Sequence, residues 1–129
     1  MPTGLPATTG DVLSAVMYNS LVAFTINSQT GTTYTPVLAD QYQVLIVTSN
    51  ASAKTVSIPT DASVAFPVGT AITFLNTGAG ALTINAVSSG TTTITSAGAS
   101  SAAPTVAQYR SAVCIKTAAN AWTVVGAVA

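Results

Sequence analysis

Six side chains carry charge in this 129-residue sequence: Lys54, Arg110 and Lys116 against Asp11, Asp40 and Asp61. Ordinary globular proteins devote about a quarter of their residues to charge, and this chain devotes 5%. So little charge leaves almost no colloidal repulsion, and a surface built from such a sequence tends to associate near neutral pH. The mean hydropathy of +0.58 points the same way. The composition suits a protein packed against copies of itself or against a larger assembly. It excludes a phosphate-binding face, which needs clustered Lys and Arg, so no nucleic-acid partner is expected.

A membrane is not expected as a partner either. Hydrophobic residues make up 49% of the chain, but Thr, Ser, Asn or Gly interrupts every apolar run well short of the roughly 18–20 residues that a spanning helix needs. Aromatics, at 6%, are too few for the girdles of a transmembrane barrel. The start, Met1-Pro2-Thr3-Gly4-Leu5-Pro6, has neither the basic nor the apolar region of a signal peptide. One cysteine, Cys114, allows no internal disulfide and no cysteine zinc cluster. The length suits one domain.

Two segments are expected. Residues 1–33 read as an N-terminal arm and helix. The proline-containing opening is extended, and Thr8-Thr9-Gly10-Asp11 loosely fits a helix cap. Leu13, Val16, Met17, Leu21 and Phe24 then recur at helical spacing. This predicts a short amphipathic helix over about 11–24, ended by the polar run 27–33. Its apolar stripe is the candidate docking or oligomer interface, with packing on the protein's own sheet as the alternative.

Residues 34–129 read as β. Thr and Val dominate, both favoured on pleated surfaces. Val44-Leu45-Ile46-Val47 is apolar on both faces, as in a central strand or one covered by a neighbouring subunit. Lys54–Ile58, Ala71–Asn76, Leu82–Ala86, Gln108–Thr117 and Ala121–Ala129 alternate or run apolar between turn signals, and Thr91–Thr95 reads as a weak edge strand. Thr77-Gly78-Ala79-Gly80 reads as a hairpin loop, and no internal repeat stands out. Strands every 8–12 residues or so predict an all-β fold, an antiparallel β-sandwich or barrel-like domain.

The search for chemistry is short. Without histidine, Ser-His-Asp and Cys-His catalysis are gone, and so is the commonest metal ligand. Glycosidase chemistry needs two carboxyl groups about a sugar. Asp40 and Asp61 sit in contexts that read as turn or capping positions. No calcium-loop pattern is present. Thr77–Gly80 lacks the Lys-Ser/Thr of a phosphate loop. Cys114 reads as a buried thiol and Trp122 as a core anchor. The expectation is a protein that is not an enzyme, with no catalytic, cofactor-binding or metal-binding residues and no cofactor.

Several segments resemble a family of small β-domains in tailed-bacteriophage virion proteins. They are Tyr34-Thr-Pro-Val-Leu-Ala-Asp40, Ser49-Asn-Ala-Ser52 leading to Thr55-Val-Ser-Ile-Pro59, Val64-Ala-Phe-Pro-Val-Gly-Thr70, Thr77-Gly-Ala-Gly-Ala-Leu-Thr-Ile84 and Trp122-Thr-Val-Val-Gly126. Gly10-Asp-Val-Leu-Ser-Ala-Val-Met-Tyr-Asn19 also resembles N-terminal segments of phage structural proteins. The resemblance implies a virion protein assembled in the bacterial cytoplasm, with homotrimers common. The near-solitary domain fits a capsid decoration (cement) protein or short head fibre, whose partner is itself and the major capsid protein or another virion protein. The alternative is a tail fibre or tail-tip protein that binds a host-surface glycan or protein.

Overall fold

In the computed structural model, which describes residues 23–41 and 43–129, successive strands fall alternately into two sheets. β1 (Thr25–Gln29), β3 (Val44–Thr48) and β5 (Ala71–Asn76) lie side by side in a six-stranded sheet. β2 (Thr33–Tyr34), β4 (Lys54–Ile58) and β6 (Leu82–Ala86) lie side by side in a four-stranded sheet. Neighbours within each trio run parallel. The chain thus winds through three successive coils, each giving one strand to each sheet.

The fourth turn is interrupted. β7 (Thr93–Ser96) returns to the six-stranded sheet but at its far edge. β9 (Arg110–Ala118) and β10 (Ala121–Gly126) form an antiparallel hairpin that fills the space between β5 and β7. Asn120 takes the left-handed conformation at its turn (φ 50°), which Asn tolerates better than most residues. β8 (Thr105–Val106) closes the smaller sheet antiparallel to β6. Ala129 exchanges backbone hydrogen bonds with Thr105 beyond it.

The β-rich class is as expected, but the antiparallel arrangement is corrected: among the described residues five of the eight strand pairings are parallel. Alternation tells which face a residue occupies and says nothing of its strand's neighbour. The hairpin expected at Thr77–Gly80 is also corrected, because β5 and β6 belong to different sheets. That segment is a corner between layers. A repeat is present too: Leu45 pairs with Thr73 and Lys54 with Leu82, the same step along the chain in both sheets. Few side chains are identical across that step, so composition hides it. The sheets also begin before residue 34, since β1 and β2 pair with β3 and β4.

One hydrophobic cluster draws on both sheets: Ile46, Phe74, Cys114 and Trp122 from one, Val56, Ile58, Leu82 and Ile84 from the other. Trp122 meets Phe66 edge to face at 5.5 Å between ring centroids, a favoured aromatic geometry. The expected roles of Cys114 and Trp122 as core residues hold, for both are buried. β7 is an edge strand, also as expected.

The second and third coils also meet at their corners. The Thr77 and Gly78 amides donate to the Thr48 carbonyl at 2.9 and 3.3 Å. A Cβ on Gly78 would overlap the Asn50 carbonyl, and one on Gly80 would overlap Ser52. Glycine is needed at both places for closeness of approach. No helix among the described residues is long and apolar enough to cross a membrane.

Candidate interaction surface

Among the described residues three charged side chains are inside: Asp40, Lys54 and Lys116. Lys54 begins β4 on the inward face, and its Nζ donates to the carbonyls of Asn50 and Gly80, each at 2.7 Å. One ammonium thus ties the corners of two successive coils, and burial pushes its pKa down. Asn76 works beside it: its Nδ2 donates to the carbonyls of Gly80 and Val106, while its Oδ1 accepts from the Gly78 amide.

Lys116 lies in phase with Cys114 on β9 and is 3% exposed. Its Nζ donates to Asp61 Oδ1 and to the Phe66 carbonyl, both at 2.6 Å. The Lys116 ammonium holds the Asp61 carboxyl below the usual range. Asp61 and Asn120 also exchange hydrogen bonds, each amide donating to the other's side chain. The pair fastens the loop after β4 to the β9–β10 turn.

Asp40 sits at the first coil, in a single turn of 3-10 helix (Leu38–Gln41). Tyr34 Oη donates to its Oδ2 at 2.6 Å, and Asn27 Nδ2 donates to its Oδ1 at 3.0 Å. The Val37 amide donates to Oδ2 as well. Burial and the hydrogen bond to Asp40 push the Tyr34 phenol up to about 12. Asn27 lies in register with Ile46 of the next strand, so this network replaces hydrocarbon in the outermost layer of the core.

Asp40 and Asp61 therefore serve separate networks, each ordering a loop. Among the described residues no group of three or more His, Cys, Asp or Glu could hold a metal ion. Burial raises the Cys114 thiol well above its ordinary value, which suppresses the nucleophilic thiolate.

The interior consumes the charge and leaves an uneven surface. The outer face of the four-stranded sheet is polar: Thr33, Thr55, Thr83 and Thr105 form a row across all its strands, and Ser57 donates to Asn85 beside it. The outer face of the six-stranded sheet is apolar at its middle, with Ser28 and Ser111 at the ends of one row and Thr93, Thr95 and Thr123 toward β7. Ile26, Leu45, Thr73, Val113 and Val125 form a row across five strands. Val47 and Leu75 continue it in the next row, and Ile115 lies on the other side. Ile26 is 56% exposed and Val125 44%. No charged residue occupies an outward strand position on this face.

Of the predicted interface residues, Leu13, Val16, Met17 and Leu21 lie outside the described residues, as does nearly all of the predicted helix. Phe24 is described and is 52% exposed. It lines a groove of about 540 Å3 with Val44, Val68, Ala71 and Thr73. The chain thus enters the β-structure beside the apolar face. A further exposed aromatic, Tyr109, stands before β9 with φ 61° and 75% exposure. A bulky residue at positive φ is uncommon, and no sequence pattern marked it.

No family model, no curated protein and no solved structure matches this chain.

Proposed function

We propose that this chain is a structural virion protein of a tailed bacteriophage, a capsid decoration (cement) protein or short head fibre that binds the particle as a homo-oligomer and catalyses no reaction. In this reading the two sheets form a β-sandwich, the residues before β1 carry the arm and helix, and the stripe Leu13, Val16, Met17, Leu21 and Phe24 docks on a neighbour or on the major capsid protein. The observation that carries it is the disposal of charge: Asp40, Lys54 and Lys116 are buried, so an already charge-poor chain turns an uncharged apolar sheet face outward. The resemblance of its segments to virion β-domains supplies the class of assembly.

Localisation on the intact virion by cryo-electron microscopy tests it. Regular density over the head lattice is the expected result, and absence of the protein from purified particles removes the proposal. Met17→Lys should then reduce attachment while leaving strand content unchanged.

The second reading is a tail fibre or tail-tip protein that binds the host surface. Tyr109 favours it: backbone strain at an exposed aromatic is a recurrent mark of binding loops, and Arg110 follows it. Density confined to the tail, with host-cell binding lost in Tyr109→Ala, would establish this reading in place of the first.

A further inference from the structure

We propose that the cleft between the end of β6 and the start of β7 is a binding site for a neutral polyol, a molecule the size of one sugar ring. This goes beyond the functional reading above and does not depend on where the chain sits in a particle.

The cleft exists because the two sheets end unevenly. β8 pairs with β6 at Leu82 and Thr83, and the Pro104 carbonyl extends that contact to the Ile84 amide. β6 then runs on to Ala86 with no strand beside it on that side among the described residues. In the other sheet β7 is the last described strand. Chain connections bridge the gap at both ends. In the turn after β6 the Thr91 and Thr92 amides donate to the Ser88 carbonyl, and the loop after β7 is fastened by hydrogen bonds between Ser96 and Ser101. Between them is a cleft of about 370 Å3, within the range of small-molecule sites.

Its wall carries the observation that points to a ligand. Thr92 and Ile94 both line the cleft and are 2% and 4% exposed. The Thr92 hydroxyl oxygen is buried and has no hydrogen-bond partner. Buried hydroxyls are rarely left so, and a valine would fill the same space without a polar atom to satisfy.

The backbone adds to this. In a parallel ladder alternate residues bond to the neighbouring strand. The Thr93 amide takes the Asn120 carbonyl, so the amide and carbonyl of Ile94 face the free edge of the sheet. The Val87 amide takes the Ile58 carbonyl, so the amide and carbonyl of Ala86 face away from β4, toward the gap. Asn85 also lines the cleft. Its Oδ1 accepts from Ser57, which leaves its Nδ2 to donate.

Donors and acceptors therefore stand side by side, and a hydroxyl group matches them because it donates and accepts through one atom. The methyl groups of Ala86, Ala103 and Ile94 suit the C–H surface of the same molecule. None of the described residues that line the cleft is charged, so an ion would leave water with no opposite charge to receive it. A neutral polyol meets all three conditions. A free sugar and the terminal ring of a polysaccharide share this chemistry.

The test is two-dimensional amide NMR of the full-length chain, with glucose, galactose, mannose, N-acetylglucosamine and sorbitol added singly at millimolar concentration. At least one should cause saturable shifts centred on Ala86, Thr92 and Ile94. Thr92→Val keeps the shape of the side chain and should weaken binding about fivefold. Ala102→Phe, at the exposed rim, should block it, and it carries the test if Thr92→Val does not fold. Glucuronate should not bind. The proposal is overturned by the absence of saturable shifts with all five compounds, by shifts centred elsewhere, by glucuronate binding as tightly as the neutral sugar, or by binding unchanged in every folded variant. An oligosaccharide of the sugar that binds separates the two sources: a tighter complex identifies a chain end as the ligand, and equal affinity identifies the free sugar. Localisation on the virion is a separate measurement, and neither result alters the other.

Discussion

Lys116 is a cation that the core accepts because Asp61 and the Phe66 carbonyl are within 2.6 Å of it. Removing one partner of a buried pair is costlier than never having built it, since the other charge stays behind. Asp61 is itself partly exposed and the Phe66 carbonyl remains, so Asp61→Ala should lower unfolding free energy by about 1–2 kcal/mol, measured by urea denaturation, and Lys116→Met by less. The pH dependence follows from the depressed Asp61 carboxyl. Its contribution is complete above the ordinary value of 3.8 and is lost as the pH falls through the lower folded-state value. Acid denaturation of Asp61→Asn should lack that component. Tyr34 behaves oppositely. Its phenol is raised from 10.0 to about 12, so the fold favours the neutral form, and its contribution is complete below 10.0 and fades as the pH rises through about 12. An ultraviolet titration should show a tyrosine ionising near pH 12, and Tyr34→Phe should remove that step. The Cys114 thiol should not react with a thiol reagent until the protein unfolds.

The coil corner is the element on which the stacking depends. Gly78→Ala would press a methyl group into the Asn50 carbonyl, and backbone cannot yield as a flexible side chain does. We expect a loss of about 2 kcal/mol, seen as a lower thermal midpoint with strand content retained. Much of this element scale was legible beforehand. β5 and β6 fall where alternation placed them, and β4 shows the inward Val56 and Ile58 that its sequence gives away. Lys116 was already in phase with Cys114, a signal that it needs a partner, although three aspartates offered no way to choose Asp61. β1 escaped notice because its inward residues, Asn27 and Gln29, are polar and belong to the Tyr34–Asp40 network. The wiring of the sheets escaped altogether. Strand partners far apart in sequence leave no local trace, and the corner glycines look the same as those of a hairpin.

For the whole molecule, the two sheets share a core and differ in what they show outside. One presents hydroxyls and amides, the other aliphatic side chains at its middle with hydroxyls toward β7 and at the row ends. A protein with this asymmetry has one side suited to water and one side suited to contact with another surface. Under the proposed function, β3, β5 and β9 should gain protection from hydrogen exchange when the protein binds the particle, while β4 and β6 exchange alike in the bound and free protein.

The insertion of β9 and β10 between β5 and β7 also sets a schedule. A chain made from its N-terminus delivers the three parallel coils in the order in which they stack, so each can settle on the one before. β7 then emerges with no neighbour. Among the described residues it pairs with β10 alone, which is made well after it, and until that hairpin arrives the far edge of the large sheet has nothing to hold. Synthesis and assembly therefore run in step for the first half of the molecule and part company in the second.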